Sequence, residues 1–578
     1  MDSHEKSLSW LDYAIFTVSV SLSVGTGVYH AIRSRILLRS DGFKTSAKDE
    51  YLMGGHTMPT IPVALSLLTT FLSGILMLAV PAEIFQRGVQ YWLNLIVGVL
   101  SSLVTCIVFL PVFHKMKCTC LHEYFKHRYN STLIRRLFSI LFLMFTIVYM
   151  SVVIYAPSVA LSPVLRIHKW WLVLIFGLCT TLYTCIGGLK AVVWSDSLQA
   201  VLMYSGVLTL IVQGLRNPRV GGLQRVWTVA VESGRTAELF RFDLRIDQYN
   251  SVWINLMSGI VTWLAYFGVN QLAIQRYASL PTLRQAQQII YWTLIPFAVL
   301  CSTVAFVGFM VLAYFYNCNP IETGEITETD HLTILFARDI LQPTPGLFGI
   351  YVSCIMSATL STLSSGMNSM AAAIYEDFLK TSLDGSVTDH EATLINKAIV
   401  VSGGIAATAL AFSAESLGGM LRVCACVMGA ISGPMVAIFV LAIFFPRSGF
   451  WSCLISFVLS NTIMVIICIA NYIEDPYRHN FLPTNSSAFG CNSRNFTVRS
   501  LPAYDAHYGD PSSMFISRIS TYGYAGIGFV IMMVIGITIN VVKPEQRPEK
   551  IRHLTFAGRN EPWPDSQHEY DHFISQKK

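Results

Sequence analysis

Charge is scarce in this sequence. Only 13% of its 578 residues are Asp, Glu, Lys or Arg, about half of the roughly 25% carried by a soluble domain. Hydrophobic residues make up 53% and the mean hydropathy is +0.52, so a soluble fold is excluded and the chain reads as an integral membrane protein. No glycine-rich nucleotide loop is present, which argues against a pump driven by ATP. No redox or zinc spacing stands out among the thirteen cysteines. Most lie inside apolar runs, where a thiol behaves as a small hydrophobe. Cys118 and Cys120 in "KCTCLH" stand too close together and too isolated to read as a metal site. The net charge of +6 is slight for this length. It points to no nucleic-acid partner, and its use is to orient the chain in a bilayer.

What is present is a series of apolar runs. A window of about 20 residues, the length a helix needs to cross the hydrocarbon core, predicts an all-α polytopic protein with about thirteen spans. These lie near 9–30, 58–80, 90–113, 135–156, 170–186, 191–214, 252–272, 289–316, 346–373, 396–414, 418–445, 449–471 and 522–542. The first follows a short polar start with no cleavage pattern and reads as a retained span.

Basic residues orient these spans. Arg33, Arg35, Arg39, Lys44 and Lys48 follow the first, and Lys115, Lys117, Lys126, Arg128, Arg135 and Arg136 separate the third from the fourth. Both loops are expected on the cytoplasmic side, with the N-terminus outside and the tail from Lys543 inside. Glycosylation sequons at Asn485 and Asn495 fall in the polar loop 472–521, which this topology places outside; the sequon at Asn130 falls inside. Cys318 and Cys491 also lie in outside loops, where a disulfide between them could persist. The tail 543–578 is polar and aperiodic and reads as a disordered segment.

One apolar run is rich in hydroxyls. In "MSATLSTLSSGMNSMAAA", residues 356–373, Ser357, Ser361, Ser364, Ser365 and Asn368 share a helix face, with Thr362 beside them. Such a stripe can serve helix packing. It can also hold a monovalent cation, for which neutral oxygens suffice: Ser361 and Thr362 follow Ala358 by three and four residues, so their hydroxyls gather at its carbonyl. An ion of calcium's radius, which sodium resembles, needs oxygens at about 2.3–2.6 Å, and a second segment must supply the rest. "IPVALSLLTTFLSGILMLAVPAE", residues 61–83, is interrupted by Thr69, Thr70, Ser73 and Gly74, the pattern of a discontinuous helix with free carbonyls.

Four motifs resemble those of the sodium/solute symporter family, in the branch of sodium-coupled monocarboxylate, multivitamin and iodide carriers: "LTTFLSGILMLAVPAEIFQRG", "YTCIGGLKAVVWSDSLQAVLM", "GVNQLAIQRYAS" and "SATLSTLSSGMNSMAAAIYED". The resemblance covers about residues 50–445. It implies leucine-transporter-type inverted repeats of five helices at 58–214 and 252–445, preceded by 1–57, separated by an outer loop at 215–251, and followed by two spans with a glycosylated loop at 446–542 and a tail at 543–578. By motif position it implies a sodium site from the carbonyls of Thr69, Leu72 and Ala358 and the hydroxyls of Ser361 and Thr362. Asp196 and Gln199 would line the inner sodium route, although Asp196 could instead serve a helix N-terminus.

The substrate is expected between the repeats, near Ser73 and Leu76 and near Asn270 and Gln271. An apolar Leu76 departs from the sugar carriers of the family. Arg422 reads as a residue snorkelling to the outer interface. The resemblance therefore implies a plasma-membrane sodium symporter of a small organic anion, foremost a monocarboxylate, with no cofactor besides the coupling ion and no enzymatic activity. A multivitamin or iodide carrier, or a non-transporting sensor or channel on the same scaffold, are the alternatives.

Overall fold

The computed structural model describes residues 8–561 apart from 39–45, 327–328, 384–385, 414–419, 492–496, 545–547 and the single positions 117, 498, 500, 504 and 560. Asn495 lies outside the described residues, as does the side chain of Arg422. Among the described residues there is no β-strand, only an isolated bridge between Gln248 and Tyr508. Among the described residues ten helices are long and apolar enough to cross a bilayer, twelve if two bent pairs each count as one span. The figure of thirteen stays an expectation.

The bent pairs sit where the sequence interrupts its apolar runs. Thr60–Phe71 and Gly74–Arg87 meet at 52°, and Val252–Phe267 and Gln271–Ala278 meet at 49°. At the first break Leu72 and Ser73 leave helical geometry (φ −100°, ψ 84° and φ −83°, ψ 168°). Gly74 then lets the chain resume against the hydroxyl-rich helix Leu347–Ile374. A Cβ there would lie 2.7 Å from Thr359 Oγ1 and 3.0 Å from Pro157 Cγ. At the second break Asn270 caps the outgoing helix by accepting from the Leu272 amide at 2.9 Å.

Lys169–Arg216 runs for 48 residues, about 72 Å if straight and more than twice the hydrocarbon core. It is not straight. Gly188 (φ 59°, ψ −157°) interrupts it in a region essentially reserved for glycine. Tyr183 and Gln199 both meet helix Trp10–Leu38 within one of its turns, at Gly27 and at Ser23, although a straight helix would hold them about 24 Å apart. The chain therefore folds back at Gly188, between the predicted spans 170–186 and 191–214. Helix Trp10–Leu38 packs on both arms, through Gly27 against Tyr183 and Ser23 Oγ to Gln199 Nε2 at 3.3 Å.

The long loop after helix Phe450–Glu474 docks on the end of the first broken span. Leu482 N donates to Gln86 O at 2.7 Å, Arg87 Nε to Asn480 O at 2.6 Å, and the buried Arg235 bridges Phe85 O, Leu482 O and Pro483 O. Cys318 and Cys491 are joined, as the sequence allowed. A second bridge, Cys426–Cys468, links helices Met420–Phe444 and Phe450–Glu474 and was not anticipated. The tail corrects another expectation. Its described part, Pro548–Leu554 and the turns after it, docks on the opposite face, with Phe556 N on Ile443 O, Phe556 stacked on Phe444, and Lys115 Nζ donating to Gly558 O and Glu561 O.

Candidate functional site

The hydroxyls of helix Leu347–Ile374 converge on the first break. Ser361 Oγ donates to Thr69 O at 3.0 Å and approaches Ala358 O at 3.2 Å; Thr362 Oγ1 lies 3.2 Å from Thr70 O and 3.1 Å from Ala358 O. All of these residues are buried. Four of the five oxygens named from the sequence thus meet in one place, and Thr70 O, which the sequence reading missed, joins them. Leu72 sits at the break in non-helical geometry, and the two hydroxyls bond Thr69 O, Thr70 O and Ala358 O instead of its carbonyl. A hydroxyl carries two lone pairs and a rotatable proton, so the cluster can present oxygens to a cation as readily as it donates to carbonyls.

Directly beside this cluster is a buried ion pair. Arg276 Nη2 lies 3.2 Å from Asp196 Oδ2, Arg276 Nε donates to Ser66 Oγ at 2.9 Å, and Ser66 donates to Asp196. Arg276 also donates to Ser365 Oγ, which touches Thr70 Oγ1 at 3.2 Å. Asp196 is therefore explained by a partner on the short helix Gln271–Ala278, not by a helix N-terminus. Its Oδ1 has no hydrogen-bond partner among the described residues, and the same holds for Ser195 Oγ, Gln199 Oε1 and both amide atoms of Asn368. Tyr183, on the other arm of the folded-back chain, donates its hydroxyl to Leu360 O at 3.0 Å. Buried polar atoms without protein partners are uncommon in folded proteins, and these are grouped between the two arms of the folded-back chain and helix Leu347–Ile374.

A cavity of about 110 Å³ opens beside the break, lined by Ser73 and Leu76 together with Phe71, Asn94, Tyr149 and Trp263. The helix Gly74–Arg87 starts at its wall, its first turn closed by the Leu76 amide donating to Ser73 O at 3.1 Å and without a side-chain cap from Ser73. Asn270 belongs to a smaller adjoining cavity shared with Phe71, Tyr149 and Thr362. Gln271 corrects the sequence reading: Oε1 accepts from Leu121 N and Nε2 donates to Thr119 O, both at 2.7 Å, so the side chain anchors the loop before residue 123 instead of facing substrate. Asn485 is exposed, as a glycosylation acceptor must be.

Two broken helices, one opposed by a buried hydroxyl stripe, with an oxygen cluster next to a small cavity, are the architecture of a secondary carrier built on discontinuous helices. The sodium:solute symporter family matches residues 51–459, and the chain belongs to that family. It is 31% identical over 549 residues, 95% of this chain and 86% of the relative, to sodium-coupled monocarboxylate transporter 2 of Homo sapiens. It is 33% identical over 443 residues, 76% of this chain and 67% of the relative, to the sodium-dependent multivitamin transporter of Oryctolagus cuniculus. A solved structure of a Na+-coupled sialic acid symporter superposes with a TM-score of 0.75 at 18% identity, covering 93% of this chain and 99% of that one. A nucleobase-cation-symport-1 transporter superposes at 0.51 and 9% identity, covering 88% and 97%. These two establish the shared fold. The chain is a sodium-coupled transporter and not an enzyme.

Proposed function

We propose that this symporter carries a small monocarboxylate with sodium across the plasma membrane by alternating access, with its N-terminus and the loop 475–520 outside and its tail in the cytoplasm. The observation that carries the reading is the shared break. Thr69 and Thr70 carbonyls meet Ser361 and Thr362 on one side of it, and Ser73 and Leu76 line the solute cavity on the other. Sodium at the oxygens fastens the broken span to the hydroxyl helix and so fixes the wall of the cavity; solute and ion each favour the geometry the other needs. That differential affinity is what coupling requires, since an ion bound equally in all states shifts nothing.

The solute class follows from the wall chemistry. Among the described residues no Lys or Arg lines the cavity, so a single carboxylate is met by the N-terminal end of helix Gly74–Arg87, where the helix dipole favours negative charge. The cavity is small beside the roughly 300–1,000 Å³ of sites for drug-sized ligands, which favours a lactate-sized anion over a vitamin. The similarity to monocarboxylate transporters over most of the chain points the same way. Asp196, Gln199 and Asn368 line the inward route for sodium. Arg276 neutralises Asp196 while that route is shut.

Uptake of labelled lactate, butyrate, pantothenate, biotin, iodide and glucose by cells expressing the chain, in sodium and in choline, tests the assignment. Sodium-dependent uptake of lactate or butyrate is expected. Sodium-dependent uptake of only biotin, pantothenate or iodide would make the chain a multivitamin or iodide carrier instead, and no uptake at normal surface density would leave a sensor.

A further inference from the structure

The stretch "KCTCLHEYFKH" does more than the sequence suggested. We propose that Cys118, Glu123 and His127 form a binding site for a zinc-type divalent cation on the face that carries the basic loops. Glu123 and His127 stand one turn apart on helix Glu123–Tyr129, with Oε1 and Nε2 3.8 Å apart, and Cys118 reaches them from the preceding loop. The sulfur, oxygen and nitrogen ligand atoms all lie within 4.8 Å of one another. Zinc takes sulfur at about 2.3 Å and nitrogen or oxygen at about 2.0–2.2 Å, so tetrahedral ligand atoms sit roughly 3.3–3.7 Å apart, within reach of small side-chain rotations. The three residues are half-buried, so an ion can enter and water can complete the fourth position.

A mixed sulfur, nitrogen and oxygen set does not suit calcium or magnesium, which take oxygen alone, and does suit zinc.

A second trio beside it, Cys120, His122 and Asp377, is a lock and not a metal site. It is fully buried. Asp377 Oδ2 already accepts from Cys120 Sγ at 3.3 Å, pairs with His122 Nδ1 at 2.7 Å and accepts from Ser139, while Arg135 Nε holds Oδ1 at 2.6 Å. The guanidinium would oppose an added cation. The lock instead fixes the loop that presents Cys118, the same loop whose backbone Gln271 clamps, so an ion at the outer trio would stiffen a connection between that loop and the second broken span.

The test reads binding alone, on the purified full-length protein in lipid nanodiscs, and so stands apart from the solute assignment. Zinc is titrated against a fluorescent chelator, and cobalt serves as the spectroscopic probe. The expected result is one zinc per chain, weakened about tenfold or more by Cys118→Ser or His127→Ala and unchanged by Cys120→Ala, with a sulfur-to-cobalt charge-transfer band that Cys118→Ser removes. Should Cys118→Ser lose its monodisperse elution, the isosteric Glu123→Gln decides, with the same weakening expected. Absence of zinc binding by the parent protein, or binding that follows Cys120 and ignores Cys118 and Glu123, overturns the proposal.

Discussion

Ser361 and Thr362 act through their spacing. Three and four residues after Ala358 on a helix, both hydroxyls are carried to the same side and the same height, and the unwound turn at Leu72 is what gives them carbonyls to meet. That much was legible, because hydroxyls on a lipid-length helix and a broken partner helix are both visible as patterns. Arg276 was not. A lone arginine in "AIQRYAS" has no pattern, and only the second bend brings it to Asp196. The pair makes a residue-scale prediction. Arg276→Met strands a buried carboxylate and should cost about 3–5 kcal/mol of stability, most of it recovered in the double variant with Asp196→Asn. Thermal unfolding of the two single variants and the double variant measures this; additive losses would show that the two side chains are not coupled.

At the scale of elements, glycine placement decides where helices break. The interruption at Gly187 and Gly188 was readable as a boundary between two runs, whereas the reversal itself depends on a backbone conformation that a sequence does not display. Gly188→Ala must hold φ 59° with a Cβ placed 2.5 Å from Tyr51 O, so we expect a loss of about 1–3 kcal/mol from the backbone alone, more with the clash, and sharply reduced surface expression. Normal expression and melting of that variant would contradict the fold-back. Gln271 shows the opposite limit. Its position beside a break was readable, but which way the side chain turns depends on the loop 119–121 that packs beneath it. Cys426 and Cys468 were hidden for a similar reason, since cysteines inside apolar runs look like packing residues until two helices are laid side by side.

Across the whole molecule, the long loop after helix Phe450–Glu474 and the tail clasp opposite faces. Neither contact has a period: Phe556 on Phe444 and Tyr508 on Asp243 are single aromatic or polar contacts between segments distant in sequence, invisible before folding. The outer clasp has a pH signature. The Tyr508 hydrogen bond, with help from the Arg245 amide, holds the Asp243 carboxyl below its usual range. A depressed folded pKa contributes stability above the unfolded value near 3.9 and loses it as pH falls through the folded value. The loop should therefore resist protease equally from about pH 5 to 8 and become cleavable only in acid below about 4, a change that Asp243→Asn should abolish.

The central claim is that the oxygens around Ser361 couple a sodium gradient to solute movement. It is tested most directly by lactate accumulation in proteoliposomes of the purified protein under an imposed inward sodium gradient. Parent protein should raise internal lactate above the external concentration and lose that excess when the gradient is dissipated. The Ser361→Ala, Thr362→Ala double variant should lose a coupling of the order of 1–3 kcal/mol, about 5–150-fold, and accumulate nothing. Lactate that only equilibrates in the parent, or a double variant that accumulates as the parent does, would contradict the account.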